Sequence, residues 1–230
     1  MIDLSLIWIL IIGLGVLIYV VLDGFDLGIG ILFPFISDRQ ERDVMMNTVA
    51  PVWDGNETWM VLGGAGLFAA FPLVYSTVLS ALYMPIILMV IALIFRGVAF
   101  EFRFKANKTK HLWDQAFIWG SILSSFLQGV ILGAYIQGIK TTNGVYTGGG
   151  LDWLTPFSLF TGVSVVVLYA TLGCGWLIFK TEKALQNKMF EFMPKLIITL
   201  FVIFGCVSIY TPLVHHQIAE RWFSQPQIFY

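Results

Sequence analysis

Charge is what this chain has least of. Acidic and basic residues make up 12% of its 230 residues, against about 25% in soluble domains. With 58% hydrophobic residues and a mean hydropathy of +0.83, the composition excludes both a soluble enzyme and a disordered chain and describes an integral membrane protein. Net charge is −1, so the basic footprint of a nucleic-acid binder is missing. The opening "MIDLSLIWIL" has no basic stretch and no small-residue cleavage site, and it reads as an uncleaved first helix rather than a leader. There are two cysteines, Cys174 and Cys206, both in apolar runs and not in a CxxC pair. That spacing suggests neither a zinc nor an iron–sulfur site, and both read as small core hydrophobes.

What is abundant is long apolar sequence. A spanning helix needs about 20 such residues, and six runs come near that length: 4–36, 58–75, 77–100, 113–138, 155–179 and 193–214. Their continuity, without strand-like alternation, predicts an all-α polytopic bundle of about six spanning helices. The first run is too long for one straight crossing and calls for tilt or an extension past the interface. The chain reads as a single transmembrane unit over 1–230, with its carboxylate motifs in 1–110 and the remaining helices in 111–230.

Ten of the thirteen lysines and arginines fall in the first, third and fifth connections. The positive-inside rule puts those connections, near 37–57, 101–112 and 180–195, in the cytoplasm and the N-terminus outside. Asn56 and Asn107 begin N-x-T sequons, but both fall near the cytoplasmic side, where glycosylation does not occur, so they count as chance matches.

Two acids interrupt the first run. Asp23 and Asp26, in "LDGFDLGIGILFPF", are i, i+3 neighbours on one helix face. Ten residues, about 15 Å of helix, separate Asp26 from the end of the run, which sets it well inside the membrane. An acid at a helix centre costs about 2.5–3.5 kcal/mol on insertion scales, so something must offset it. A satisfied polar contact to a neighbouring helix is one reading, and a station for proton transfer is the other. A second pair, Asp54 and Glu57 in "PVWDGNETW", stands at the start of the second run between Trp53 and Trp59. There the helix dipole favours acids, and Asp54 as N-cap with Glu57 as capping-box partner is an ordinary alternative to proton entry. Arg96 lies inside the third run, and Glu101 and Arg103 end it. An ion pair of Arg96 with Asp26, Asp54 or Glu101 would offset burial, while Arg103 and the lysines after it read as a cytoplasmic face.

The glycines of "GGAG" (Gly63, Gly64, Gly66) and of the first run (Gly13, Gly15, Gly24, Gly28, Gly30) suit close helix packing. None precedes the Lys-Ser/Thr of a nucleotide loop. Haem needs axial ligands, usually His or Met. Of the three histidines, His111 falls in a basic connection and His215 and His216 fall past the last run. None sits mid-membrane, so the chain is not expected to hold a bis-His haem between its own helices, nor a metal. Redox chemistry would belong to a partner.

"LDGFDLGIGILFPF", "NTVAPVWDGNETWMVLGGAGLFAAFPLVY" and "FRGVAFEFRFK", in this order and spacing, resemble subunit II of the cytochrome bd quinol oxidases. Weaker likeness runs on to "AERWF", and the "GNETW" form looks more like the cyanide-insensitive branch. The resemblance implies a bacterial inner-membrane, multi-pass subunit of a respiratory complex that oxidises ubiquinol or menaquinol and reduces oxygen to water. Haem b and haem d would sit in the partner subunit I, and small accessory subunits can join. Subunit II would stabilise the haem subunit and carry a proton route from the cytoplasm. Asp26 and Asp54 match the family's proton-path carboxylates. Asp23 is the first acid of the same motif, and Trp53 and Glu57 flank the second site. The family typically has two four-helix bundles plus an extra helix, so a chain ending after six helices reads as a fragment or a truncated gene. Two other readings stay open: half of a proton-coupled transporter, or a structural scaffold whose acids serve packing.

Overall fold

The computed structural model describes residues 3–214 and 216–224, with side chains for 3–213 and 219–224. The chain runs α1 (Leu4–Leu32), a 3-10 turn (Phe33–Phe35), α2 (Arg39–Asn47), α3 (Trp53–Ala70), α4 (Pro72–Arg103), α5 (Lys110–Gln137), a two-stranded hairpin of β1 (Thr141–Thr142) and β2 (Val145–Tyr146), α6 (Pro156–Lys180), α7 (Lys183–Val214) and α8 (His216–Phe223). The all-α membrane bundle expected from the apolar runs is what the chain forms. Among the described residues, five helices, α1, α4, α5, α6 and α7, are long and apolar enough to cross a membrane. The second run does not join that set. Its helix, α3, has 18 residues, and the first five of them include Asp54, Asn56 and Glu57.

Boundaries moved where backbone chemistry outweighs hydropathy. The break after the second run comes at Phe71, with φ −136° and ψ 61°, immediately before Pro72. Proline disfavours the α conformation in the residue before it and is well suited to a first helical turn. Leu82 departs from helical dihedrals, with φ −117° and ψ 17°. Pro85 follows three residues later, where it lacks an N–H and its ring crowds the preceding turn. The connection between β1 and β2 is Asn143–Gly144, both at positive φ, a backbone shape that Asn-Gly pairs tolerate and two-residue hairpins need.

The bundle closes through small residues. A Cβ at Gly28 of α1 would collide with the Tyr169 carbonyl oxygen of α6, so those backbones are in direct contact. At Gly120 of α5 a Cβ would stand 2.7 Å from the Ala92 carbonyl oxygen and 3.0 Å from Arg96, which seals α5 over the buried arginine of α4. The packing role assigned to the glycines does not extend to all of them, because Gly13 and Gly64 have nothing within 4 Å. Cys174 is fully buried in the core, whereas Cys206 is exposed.

At one end of the bundle the first, third and fifth connections meet. Arg42 of α2 pairs with Asp114 of α5 at 3.1 Å, Lys110 with Asp43 at 2.9 Å, and Lys188 of α7 with Glu41 at 2.6 Å. The basic connections therefore share one face.

Candidate functional site

The acids of the first run are fully buried. Asp23 and Asp26 lie on the inward face of α1, and α4 delivers Arg96, also at 0% exposure, against them. The Arg96 guanidinium stands 3.6 Å from Asp23 Oδ1, 4.0 Å from Asp26 Oδ2 and 2.6 Å from Glu57 Oε1. Three carboxyl groups from two helices thus share one cation from a third. Full ionisation would leave two negative charges without a partner, in surroundings where an unpaired charge is costly.

Hydrogen bonding at the cluster is incomplete. Asn56 Nδ2 donates to Asp26 Oδ2 at 2.8 Å. Both oxygens of Asp23, Asp26 Oδ1, and Arg96 Nε and Nη2 have no hydrogen bond of ordinary geometry among the described residues. Buried polar atoms are nearly always satisfied, so open valences concentrated at one cluster set it apart from the rest of the core. The nearby aromatics keep the site enclosed. Trp53 stacks on Phe100, with centroids 5.0 Å apart and planes 11° apart, and the Arg96 guanidinium lies 5.4 Å from the Phe100 centroid. Gly97 makes room for Trp53, since a Cβ there would be 3.2 Å from the indole.

Asp54 sits one turn outside this cluster, in the first turn of α3 and exposed. Its carboxylate accepts from the Gly55 N–H at 2.8 Å. The capping box that was the ordinary alternative for Asp54 and Glu57 does not form. The N-cap position is Val52, with no side-chain cap, and Glu57 turns inward to Arg96 instead. Glu57 keeps 21% side-chain exposure, and it lines an open cleft of about 500 Å³ with Trp53, Met60, Val90, Leu93 and Gly97. Exposure thus falls from Asp54, outside the cluster, through half-buried Glu57 to fully buried Asp26 and Asp23.

Of the sequence candidates, the structure brings Asp23, Asp26, Glu57 and Arg96 together, with Trp53 as their cover. Glu101 is not brought in. It is exposed and pairs with Lys105 at 3.4 Å one turn along α4; of the three partners weighed for Arg96, the structure pairs it with Asp26, at 4.0 Å, and it adds Glu57 at 2.6 Å. Asp54 makes no pair with Arg96 either. Sequence reasoning missed Asn56, which it weighed only as a sequon. The signal was available, because Asn56, Gly63 and Gly66 are spaced on one face of α3, and these are its buried residues.

It also misjudged Arg103. That side chain is fully buried, paired with Asp114 and, at 2.5 Å, with Asp43, and it lies 5.2 Å from the Phe33 ring centroid. Burial pushes the Asp43 carboxyl up, but hydrogen bonds from Lys110 and Arg103 outweigh this and hold it below the usual carboxylate range. This second cluster ties α2, α4 and α5 into one rigid end. His111 is exposed at the start of α5. His215 lies outside the described residues, as does the His216 side chain.

Comparison with known proteins places these features in a family context. A family described as cytochrome bd terminal oxidase subunit II matches residues 4–228. The cytochrome bd-I ubiquinol oxidase subunit 2 of Escherichia coli strain K12 is 37% identical over 192 residues, covering 77% of this chain and 49% of that protein. The cytochrome bd ubiquinol oxidase subunit 2 of Bacillus subtilis strain 168 is 32% identical over 199 residues, covering 85% and 59%. The chain spans about half the length of the curated relatives it matches.

Proposed function

The chain belongs to the cytochrome bd terminal oxidase subunit II family, and on that premise we propose that it serves as the haem-poor subunit of a bd-type quinol oxidase. In this role it stabilises a haem-bearing subunit I, which holds haem b and haem d. It also carries protons from the cytoplasm toward the site where oxygen is reduced to water, using electrons from a quinol. The chain is thereby part of an oxidoreductase complex in the bacterial inner membrane, and its own residues act on protons rather than electrons. Its buried cluster is built from carboxyls, a guanidinium and an amide, donors that suit proton exchange and not axial haem ligation.

One observation carries the reading: acids graded in exposure from Asp54 through Glu57 to Asp26 and Asp23, the last three facing one Arg96 that cannot neutralise them all. Proton transfer needs carboxyls within reach of one another and of water. Asp54 opens at the end of the bundle where the basic connections meet, and the positive-inside rule assigns that end to the cytoplasm. Arg96 holds Glu57 and the α1 acids in register and lowers the cost of their charge.

The test is the assembled complex carrying Asp26→Asn and Asp54→Asn, singly and together. Haem spectra verify assembly, and quinol-driven oxygen uptake and proton uptake are then measured. The doubly substituted complex is expected to lose at least tenfold in turnover with haem content unchanged. Intact turnover and proton uptake in the double variant would sink the proposal.

A further inference from the structure

Asp23 is fully buried, and neither of its oxygens has a hydrogen bond of ordinary geometry. Tyr19 lies one turn back on α1, at i, i+4 from Asp23 and so on the same helix face, and both residues are buried. Tyr19 is itself part of a chain that reaches across the bundle. Gln128 Nε2 on α5 donates to the Tyr19 hydroxyl oxygen at 2.8 Å, and the Tyr169 hydroxyl on α6 donates to Gln128 Oε1 at 2.7 Å. Tyr19 and Tyr169 are buried, at 6% and 1% exposure. Gly24, next to Asp23, leaves the space for Tyr169, since a Cβ there would stand 2.8 Å from the phenol ring.

The order of donors is dictated by chemistry. An ionised carboxylate only accepts, so a phenol facing it must donate. Having donated, the Tyr19 oxygen needs a donor of its own, which the Gln128 amide N–H supplies. That fixes the Gln128 carbonyl as the free acceptor, and Tyr169 fills it. The Tyr169–Gln128–Tyr19 bonds thus run in one direction, which leaves the Tyr19 hydrogen free to be offered to Asp23. We infer that Gln128 is a positioning residue for Asp23: it orients Tyr19 as the hydrogen-bond donor to that carboxyl and couples α5 and α6 to the buried acid cluster. The inference deepens the proton-route reading, which assigns no role to Gln128, Tyr19 or Tyr169.

Infrared difference spectroscopy on the full chain in lipid vesicles tests it without reference to oxidase turnover. Asp23→Asn identifies the Asp23 carboxyl bands. Tyr19→Phe is expected to shift those bands, because a hydrogen bond to the carboxyl is lost. Gln128→Leu is expected to shift them in the same direction, although Gln128 does not touch Asp23. Tyr169→Phe keeps the Gln128 side chain and should produce a smaller shift. The unsubstituted chain labelled with ring-13C tyrosine supplies a measurement free of folding risk: one phenol C–O band must show a hydroxyl that both donates and accepts, and a second a hydroxyl that donates. If Gln128→Leu leaves the Asp23 bands in place in a folded chain, or if no phenol shows the donating-and-accepting signature, the inference is overturned. Because these readouts are independent of turnover, they can succeed where the Asp26 and Asp54 variants fail, and the reverse.

Discussion

Arg96→Met is the perturbation that asks most of the buried cluster. Methionine approximates the volume of the arginine stem and removes only the charge and its donors. At an effective dielectric of about 20, a unit pair at 4 Å is worth about 4 kcal/mol. Arg96 makes three contacts of that order, at 2.6, 3.6 and 4.0 Å. The three would not all be forfeited, because the acids left behind can take up protons rather than stay ionised without a partner. The net loss therefore falls near the roughly 3–5 kcal/mol typical of removing one member of a buried ion pair. Unfolding of the full chain in mixed micelles by rising SDS fraction, followed by circular dichroism, measures it. Adding Asp23→Asn to Arg96→Met should recover on the order of 1 kcal/mol or more, since contacting residues are non-additive. A loss below about 0.5 kcal/mol, the range of ordinary surface substitutions, or strict additivity of the two changes, would refute the account of Arg96 as the cation that makes the buried acids tolerable.

Gly28→Ala should destabilise the chain by about 1–3 kcal/mol, the usual cost of overpacking, because its Cβ meets the α6 backbone. Gly13→Ala, with open space around it, should be neutral or stabilising by up to about 1 kcal/mol from helix propensity; the same SDS titration compares them. Asp114→Asn should cost about 3–5 kcal/mol by stripping buried Arg103 of a carboxylate, and equal stability of variant and parent would show that the second cluster is not a structural tie. The lowered Asp43 carboxyl makes a pH-dependent contribution. A group held below its unfolded value stabilises the fold above that value, about 3.9, and loses the contribution as pH falls through its folded value. Thermal stability in detergent should therefore drop below about pH 4, and by less in Asp43→Asn. An unchanged acid limb in that variant would contradict the pairing with Lys110 and Arg103.

The class of fold, and most of the residues that meet in the buried cluster, are legible in the amino acids alone. Runs of apolar residues can satisfy their backbone in a membrane only as helices, and acids as rare as Asp23 and Asp26 in such a run require a reason. Periodicity put those two on one face, and Trp53, Asp54, Glu57 and Arg96 were visible as polar or aromatic interruptions. Proline and phenylalanine chemistry at 71–72 was also on the page, but hydropathy alone extends the second run past it. Which acid meets which cation was decided by tertiary structure. It depends on how α3 and α4 rotate about their axes, because three residues at about 100° each set Asp54 and Glu57 only about 60° apart on α3. The same rotation sends Glu101 to the surface with Lys105 and turns Arg103, three residues after Phe100, into the core to Asp43 and Asp114. Asn56, Gln128 and the two tyrosines are ordinary residues in the sequence. They become part of the site only when α6 closes to backbone contact with α1 and α5 over glycines and α3 packs on the side chains of α1, which brings their short-range hydrogen bonds within reach.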